Sequence, residues 1–120
     1  MAIATCRKTT GIAVQGIDLD PNTRCLHYHG PADVIAIKMR CCQTYYACIE
    51  CHAALAGHPT EAWPRNEWHE KAALCGVCGG ELSVGEYLDS GNRCPLCEAR
   101  FNPGCRNHYH LYFEMPPASR

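Results

Sequence analysis

The hydrophobic and polar positions of this chain form short runs, and none of them sustains a long helix. Ile12-Ala-Val-Gln-Gly-Ile17 alternates with a period of two and reads as a strand, followed by a turn from Asp18 to Asn22 around a proline. Val34-Ile-Ala-Ile-Lys-Met-Arg40 is rich in β-branched residues and predicts a second strand, which runs straight into Cys41-Cys42. Residues 53–74 lack an unbroken helical stripe and contain Pro59 and Pro64, so they predict a loop with a short helix near Asn66 to Ala73. Ser83-Val-Gly-Glu86 fits a capping box, in which the Ser hydroxyl and the Glu carboxylate each satisfy an orphan amide of the first helical turn. A short helix through Tyr87 and Leu88 follows, ended by Ser90-Gly91-Asn92. From His108 to Phe113 aromatic residues alternate with others, and Pro116-Pro117 stops regular structure. There is no tandem repeat, although Cys75-Gly-Val-Cys78 and Cys94-Pro-Leu-Cys97 echo each other.

Composition changes this picture by supplying a source of stability. A chain of 120 residues is one domain by size and sits where core burial alone leaves folding marginal. Eleven of its residues are Cys, a density that means a disulfide scaffold or a metal protein. Disulfide frameworks scatter cysteines singly and need no histidine, whereas zinc sites gather Cys-x2-Cys and Cys-x-His pairs that bite one ion. Here the pairs dominate. Met1 to Gly11 carries Cys6, Arg7 and Lys8 but no apolar run of signal-peptide length, and no stretch approaches the ~18 apolar residues of a membrane span. The expectation is therefore a soluble protein of a reducing compartment, the cytoplasm, with thiols available for metal. Formal charge is −1, and each zinc brings two positive charges while taking up thiolates, so the holo-protein is more acidic still. That excludes the general basic footprint of a nucleic-acid binder.

The candidate ligands, in order, are Cys25, His27, Cys41, Cys42, Cys48, Cys51, His52, His58, Cys75, Cys78, Cys94 and Cys97, followed by Cys105 and His108. A structural zinc takes four nitrogen or sulfur ligands in a closed tetrahedron, so the first twelve imply three sites and three zinc ions per chain. Cys75-x2-Cys78 with Cys94-x2-Cys97 matches the two-knuckle spacing of a zinc ribbon, and Gly76 and Gly79 suit the tight backbone of such a knuckle. The other eight pair either sequentially or in interleaved fashion. Cys48-x2-Cys51 is a knuckle for one ion, while the adjacent His52 more easily faces another.

These residues carry a resemblance. Cys25-Leu-His27-Tyr28, Asp33-Val-Ile-Ala-Ile-Lys38, Cys41-Cys42, Tyr45-Tyr46, Cys48-x2-Cys51-His52, His58, Cys75-Gly-x-Cys78 and Cys94-Pro-x-Cys97 resemble the CHY-type zinc finger family over roughly residues 15–115. The Phe101-Asn-Pro-Gly-Cys105 and Tyr112-Phe-Glu114 segments are similar to its stand-alone members. The resemblance implies interleaved sites, with Cys25, His27, Cys48 and Cys51 on one ion and Cys41, Cys42, His52 and His58 on a second. In that family, members joined to a RING domain are ubiquitin ligases, and a stand-alone branch of the mitochondrial intermembrane space assists assembly of small import chaperones. This chain has no RING segment and no evident presequence, so neither activity transfers by default.

Other positions read more simply. Cys6 is an unpaired thiol near a terminus, and His29 and His69 lack a partner at ligand spacing. Cys105-x2-His108-x-His110 offers three ligands for a fourth site without a sure fourth. Tyr45, Tyr46, Tyr87, Tyr109, Tyr112 and Phe113 suit the small core that zinc alone does not supply. Trp63 and Trp68 fall in the least regular stretch, the first candidates for an exposed protein-binding surface. Cys48-Ile-Glu50 echoes half of a zinc deaminase motif, but the required Pro-Cys-x-x-Cys is absent, and twelve ligands leave no open position for catalytic water.

The expected protein is a small irregular α+β zinc-stabilised domain, with short strands and one or two short helices around three structural zinc ions. Residues 1–14 are expected to form a flexible N-terminal segment, 15–115 the zinc finger domain and 116–120 a tail. Its expected function is zinc binding in the service of protein interaction or assembly, not catalysis. The expected partner is another protein, without nucleic acid or membrane, and the chain itself is a monomer. The rival is a chaperone-like thiol or metal handler that passes zinc or electrons to clients. The rival location, for a eukaryotic chain, is the mitochondrial intermembrane space.

Overall fold

β-Branched and aromatic residues dominate the apolar runs, and in the computed structural model they assemble into a single sheet. The structure describes residues 4–9, 11–20, 22–28, 30–101 and 112–113. The strands are β1 (Ala4–Thr9), β2 (Ile12–Ile17), β3 (Ile35–Met39), β4 (Thr44–Tyr46), β5 (Lys71–Cys75) and β6 (Glu81–Ser83). Helix α1 spans Ile49–Leu55 and α2 spans Val84–Leu88, with a 3₁₀ turn at Arg65–Glu67. Sheet order is β1-β2-β4-β3-β5-β6, and within this sheet, among the described residues, only the β2–β4 strands pair parallel.

Position in the sheet follows from pattern. β2 alternates because its neighbours cover one face. β3 is buried at four of its five residues, as a central strand covered on both faces must be. The core between these strands and the helices holds Val14, Ile37, Met39, Tyr46, Leu74, Leu82, Tyr87, Phe101 and Phe113. The tyrosines expected in the core are there, among the described residues, apart from Tyr109, which lies outside them.

Three expectations change. The helix near Asn66 to Ala73 is replaced by the 3₁₀ turn and then by β5. Ala72, Ala73 and Leu74 have helical propensity but are fully buried between β3 and β6, and burial in the sheet overrides that propensity. Trp63 and Trp68 are not an exposed pair. Trp63 is buried, donates its indole Nε1–H to the Lys38 carbonyl at 2.7 Å, and pairs with Phe113 in a parallel bridge, while Trp68 donates to the Trp63 carbonyl. The boundary drawn at residue 14 falls inside β2, because Ala4–Thr9 pairs along the whole of Ile12–Ile17. Among the described residues no helix is long and apolar enough to cross a membrane.

Candidate metal centres

The sheet and its two helices bring the twelve candidate ligands into three groups of four. These are Cys25, His27, Cys48 and Cys51, then Cys41, Cys42, His52 and His58, then Cys75, Cys78, Cys94 and Cys97, each with its donor atoms within 4.8 Å of one another. The first two groups interleave along the chain, the order the resemblance implies and one of the two that spacing left open.

The first group forms where the loop after β2 meets the start of α1. Cys48 is the N-cap of α1, and its Sγ accepts the Cys51 amide at 3.3 Å, so the knuckle is also the helix cap. The Ile17 amide at the end of β2 donates to Cys51 Sγ at 3.4 Å. His27 presents Nδ1 to Cys48 Sγ at 3.3 Å, Cys51 Sγ at 3.4 Å and Cys25 Sγ at 3.8 Å, and Cys25 and Cys48 sulfurs lie 3.5 Å apart.

In the second group, the turn after β3 supplies Cys41 and Cys42, α1 supplies His52, and the loop after α1 supplies His58. Successive helical positions point about 100° apart, which is why Cys51 and His52, adjacent in sequence, serve different groups. The Cys41 and Cys42 sulfurs are 3.9 Å apart, Cys41 Sγ lies 3.3 Å from His52 Nε2, and that nitrogen lies 3.3 Å from His58 Nε2. Tyr46 packs edge-on against the His52 ring with centroids 5.0 Å apart, fixing its orientation.

The third group is built from two copies of one backbone device. In the first knuckle the amides of Val77 and Gly80 reach the sulfurs of Cys75 and Cys78, each at 3.4 Å, the Gly79 amide bonds the Cys75 carbonyl, and the Cys75 amide bonds the Gly80 carbonyl. In the second, Leu96 reaches Cys94 Sγ at 3.4 Å, Glu98 bonds the Cys94 carbonyl, and Cys94 bonds the Ala99 carbonyl. Gly79 and Glu98 occupy the same left-handed position, at φ of 76° and 66°. Gly76 is required for a different reason than a left-handed turn. Its amide donates to the Val34 carbonyl, its carbonyl accepts from Asn22 Nδ2, and a Cβ there would run into the Asn22 backbone carbonyl.

Donor chemistry and spacing both fit zinc. Two sulfurs each about 2.3 Å from one tetrahedral ion lie roughly 3.8 Å apart, and two nitrogens at about 2.05 Å lie roughly 3.3 Å apart. The third group, with sulfur separations of 3.7 Å and 3.8 Å, and the His52–His58 pair match these values. Electrostatics point the same way. Without a cation, hydrogen bonding with Cys48 and then Cys51 holds the Cys25 pKa down at about 2, while the same crowding of sulfurs pushes Cys51 up to about 11 and Cys48 far up. Burial pushes Cys75 up to about 12. Sulfurs this close do not all ionise unless a positive charge sits among them. Burial, then the neighbouring His58, lowers the His52 pKa and favours the neutral imidazole that binds metal.

Among the remaining candidates, His69 is exposed and lies 3.3 Å from Glu70, outside every group. Glu50, the acid of the deaminase-like half-motif, accepts a hydrogen bond from Tyr28 at 2.9 Å. Cys105, His108, His110 and His29 lie outside the described residues. The amide donors from Ile17, Val77, Gly80 and Leu96 had no signal in the sequence, because a backbone N–H is present whatever the side chain.

Comparison with known proteins follows the same residues. The sequence model of the CHY zinc finger matches residues 25–87. The chain is 46% identical over 108 residues to Helper of Tim protein 13 from Saccharomyces cerevisiae, covering 88% of this chain and 93% of that protein. It is 47% identical over 100 residues to Helper of Tim protein 13 from Kluyveromyces lactis, covering 83% and 87%. An uncharacterized protein of Schizosaccharomyces pombe is 40% identical over 114 residues, covering 95% and 98%. No solved structure matches the chain.

Proposed function

The chain belongs to the CHY zinc finger family, and from that premise we propose that it is a structural three-zinc module that assists the assembly of a protein partner. One observation carries the reading: each of the three groups supplies four protein donors, which fills a tetrahedral shell. A catalytic zinc keeps one position for water or substrate, so closed shells favour a scaffold over an enzyme. Two relatives bear a name that makes them helpers of a Tim protein. This chain aligns with them over most of its length, and we assign it a protein client of that kind. The same assignment favours the mitochondrial intermembrane space over the cytoplasm.

In this reading the zinc ions are structural and do no chemistry on the client. They hold the sheet edge and the knuckle loops in one shape, which the chain's small core does not secure alone. The test is retention of proteins on the immobilised zinc-loaded chain, with the chelated chain as control and mass spectrometry as readout. Enrichment of a small Tim-type import chaperone on the loaded chain alone is expected. Equal retention by both forms, or no such client on either, contradicts the proposal. A second reading, in which metal or electrons pass to the client, draws on the exposure of Cys78 and Cys97.

A further inference from the structure

Exposure is unequal among the described cysteines. Cys25, Cys48, Cys51, Cys75 and Cys94 are buried and Cys41 and Cys42 half-buried, while Cys78 and Cys97 are exposed as whole residues, with donor groups half-buried like those of Cys41 and Cys42. Both exposed residues belong to the third group, with Cys75 and Cys94 behind them. The same surface carries two of the three exposed large hydrophobic side chains, Val77 at 53% and Leu96 at 63%. An incoming polypeptide therefore meets sulfur flanked by apolar contacts.

Charge and hydrogen bonding separate this group from the others. Four thiolates around one divalent ion leave a net charge of −2, against −1 for three thiolates and zero for two. Sulfur is thus most electron-rich here. Amide N–H donors draw charge from a thiolate and weaken it as a nucleophile, and in this group they reach Cys75, Cys78 and Cys94. Among the described residues none donates to Cys97 Sγ, which leaves it the most nucleophilic of the four.

We propose that the third group is a thiol–disulfide exchange site, entered at Cys97 and closed by Cys78, through which a disulfide-bearing protein discharges the metal. The proposal rests on the reading that this group holds zinc. Cys97 Sγ attacks one sulfur of the incoming disulfide, a mixed disulfide forms, and the other partner sulfur leaves as a thiolate. Cys78 Sγ, in the same cluster, then attacks the Cys97 sulfur. The Cys78–Cys97 disulfide closes and the second partner thiolate leaves. Two cysteine thiolates have lost two electrons, and one disulfide has become two thiolates, which take protons from solvent. Cys75 and Cys94 remain as two ligands, too few for a closed shell, so the divalent ion departs. The first group, with three of its four donors buried, and the second, whose two sulfurs are half-buried, keep theirs.

The experiment adds oxidised glutathione to the zinc-loaded full chain, follows free zinc with a dye, and locates protected thiols by differential alkylation and mass spectrometry. Amide NMR dispersion is recorded in parallel. The first zinc equivalent is expected at least about tenfold faster than the second, coincident with loss of alkylatable Cys78 and Cys97. Dispersion of β1 to β4 is expected to persist at that stage. The proposal is overturned if the first release accompanies protection of Cys41 and Cys42 or of the Cys25 group, or if all the zinc leaves in one step. A chain purified with three zinc ions that releases first from Cys41 and Cys42 loses this site alone. A chain purified without zinc fails the proposed function instead, before any disulfide is added.

Discussion

His58 shows how much a single ligand decides. It is exposed and sits on the loop after α1, yet its Nε2 lies 3.3 Å from that of buried His52. His58→Ala is expected to loosen the ion at Cys41, Cys42 and His52 and to leave the Cys25 group intact. Cadmium-substituted protein reads this directly: one cadmium resonance broadens or disappears while the other two, coupled to Cys25 and to Cys75, hold their shifts. Loss of the resonance coupled to Cys48 and Cys51 would mean that the pairing is sequential. Every one of the twelve grouped residues was legible as a candidate ligand, because Cys and His at short spacing have few other uses at this density. Their partition was less legible, since short pairs fit both orders and the helical turn that parts Cys51 from His52 is a three-dimensional fact. Least legible was Glu98, whose left-handed φ of 66° matches that of Gly79 but whose side chain gives no hint of it. Left-handed backbone costs a non-glycine residue about 1 kcal/mol, so Glu98→Gly is expected to raise the stability of the zinc-loaded protein by up to about that amount and Gly79→Ala to lower it similarly. Thermal unfolding of both variants measures it, and equal destabilisation by both would contradict the equivalence of the two knuckles.

At the scale of elements, α2 is held by local chemistry. Ser83 Oγ accepts the Glu86 amide at 3.1 Å and the Glu86 carboxylate accepts the Ser83 amide at 2.8 Å, the reciprocal pair expected from Ser83-Val-Gly-Glu86. With only five residues, the helix has little else of its own. Ser83→Ala is therefore expected to cost about 1 kcal/mol in denaturant unfolding of the zinc-loaded chain, and a cost below the error of that measurement would show that packing of Val84 and Tyr87 suffices. Elements with strong local codes, β2, β3 and α2, were readable in advance. Elements defined by partners were not: β4 and β6 have three residues each, too few for a periodic signal, and α1 is a helix because Cys48 caps it. β5 was misread as part of a helix for the same reason, since Ala72 and Ala73 acquire strand geometry only by pairing with β3 and β6.

For the whole molecule, acid acts in two stages. Protons compete with metal for thiolates and imidazoles, so release is expected to begin as pH falls below neutrality. Asp20 responds lower down. Burial alone would raise its pKa, but the Arg24 guanidinium and the amides of Asn22 and Arg24 outweigh burial and hold it below the usual carboxylate range. A depressed carboxylate stabilises the fold above its unfolded pKa, about 3.9, and that contribution disappears as pH falls through the folded value. Asp20→Asn should thus leave the pH of zinc release unchanged, and a shifted release curve would show the two stages to be coupled. The larger claim is that folding and metal binding are one event. Structural zinc contributes roughly 10–16 kcal/mol of apparent binding energy in small finger peptides at neutral pH, while whole domains are stable by only about 5–15 kcal/mol. Helix α1 supplies ligands to both the first and second groups, so full removal of either ion is expected to unseat the other, whereas loss of His58 alone only weakens its own site. The most direct measurement is a chelator titration of the purified chain, with free zinc followed by a dye and folding by amide NMR dispersion. Three zinc ions per chain should leave, with dispersion of the β1 to β4 region collapsing as the two interleaved ions go; a chain that keeps full dispersion after all its zinc has left would contradict the account.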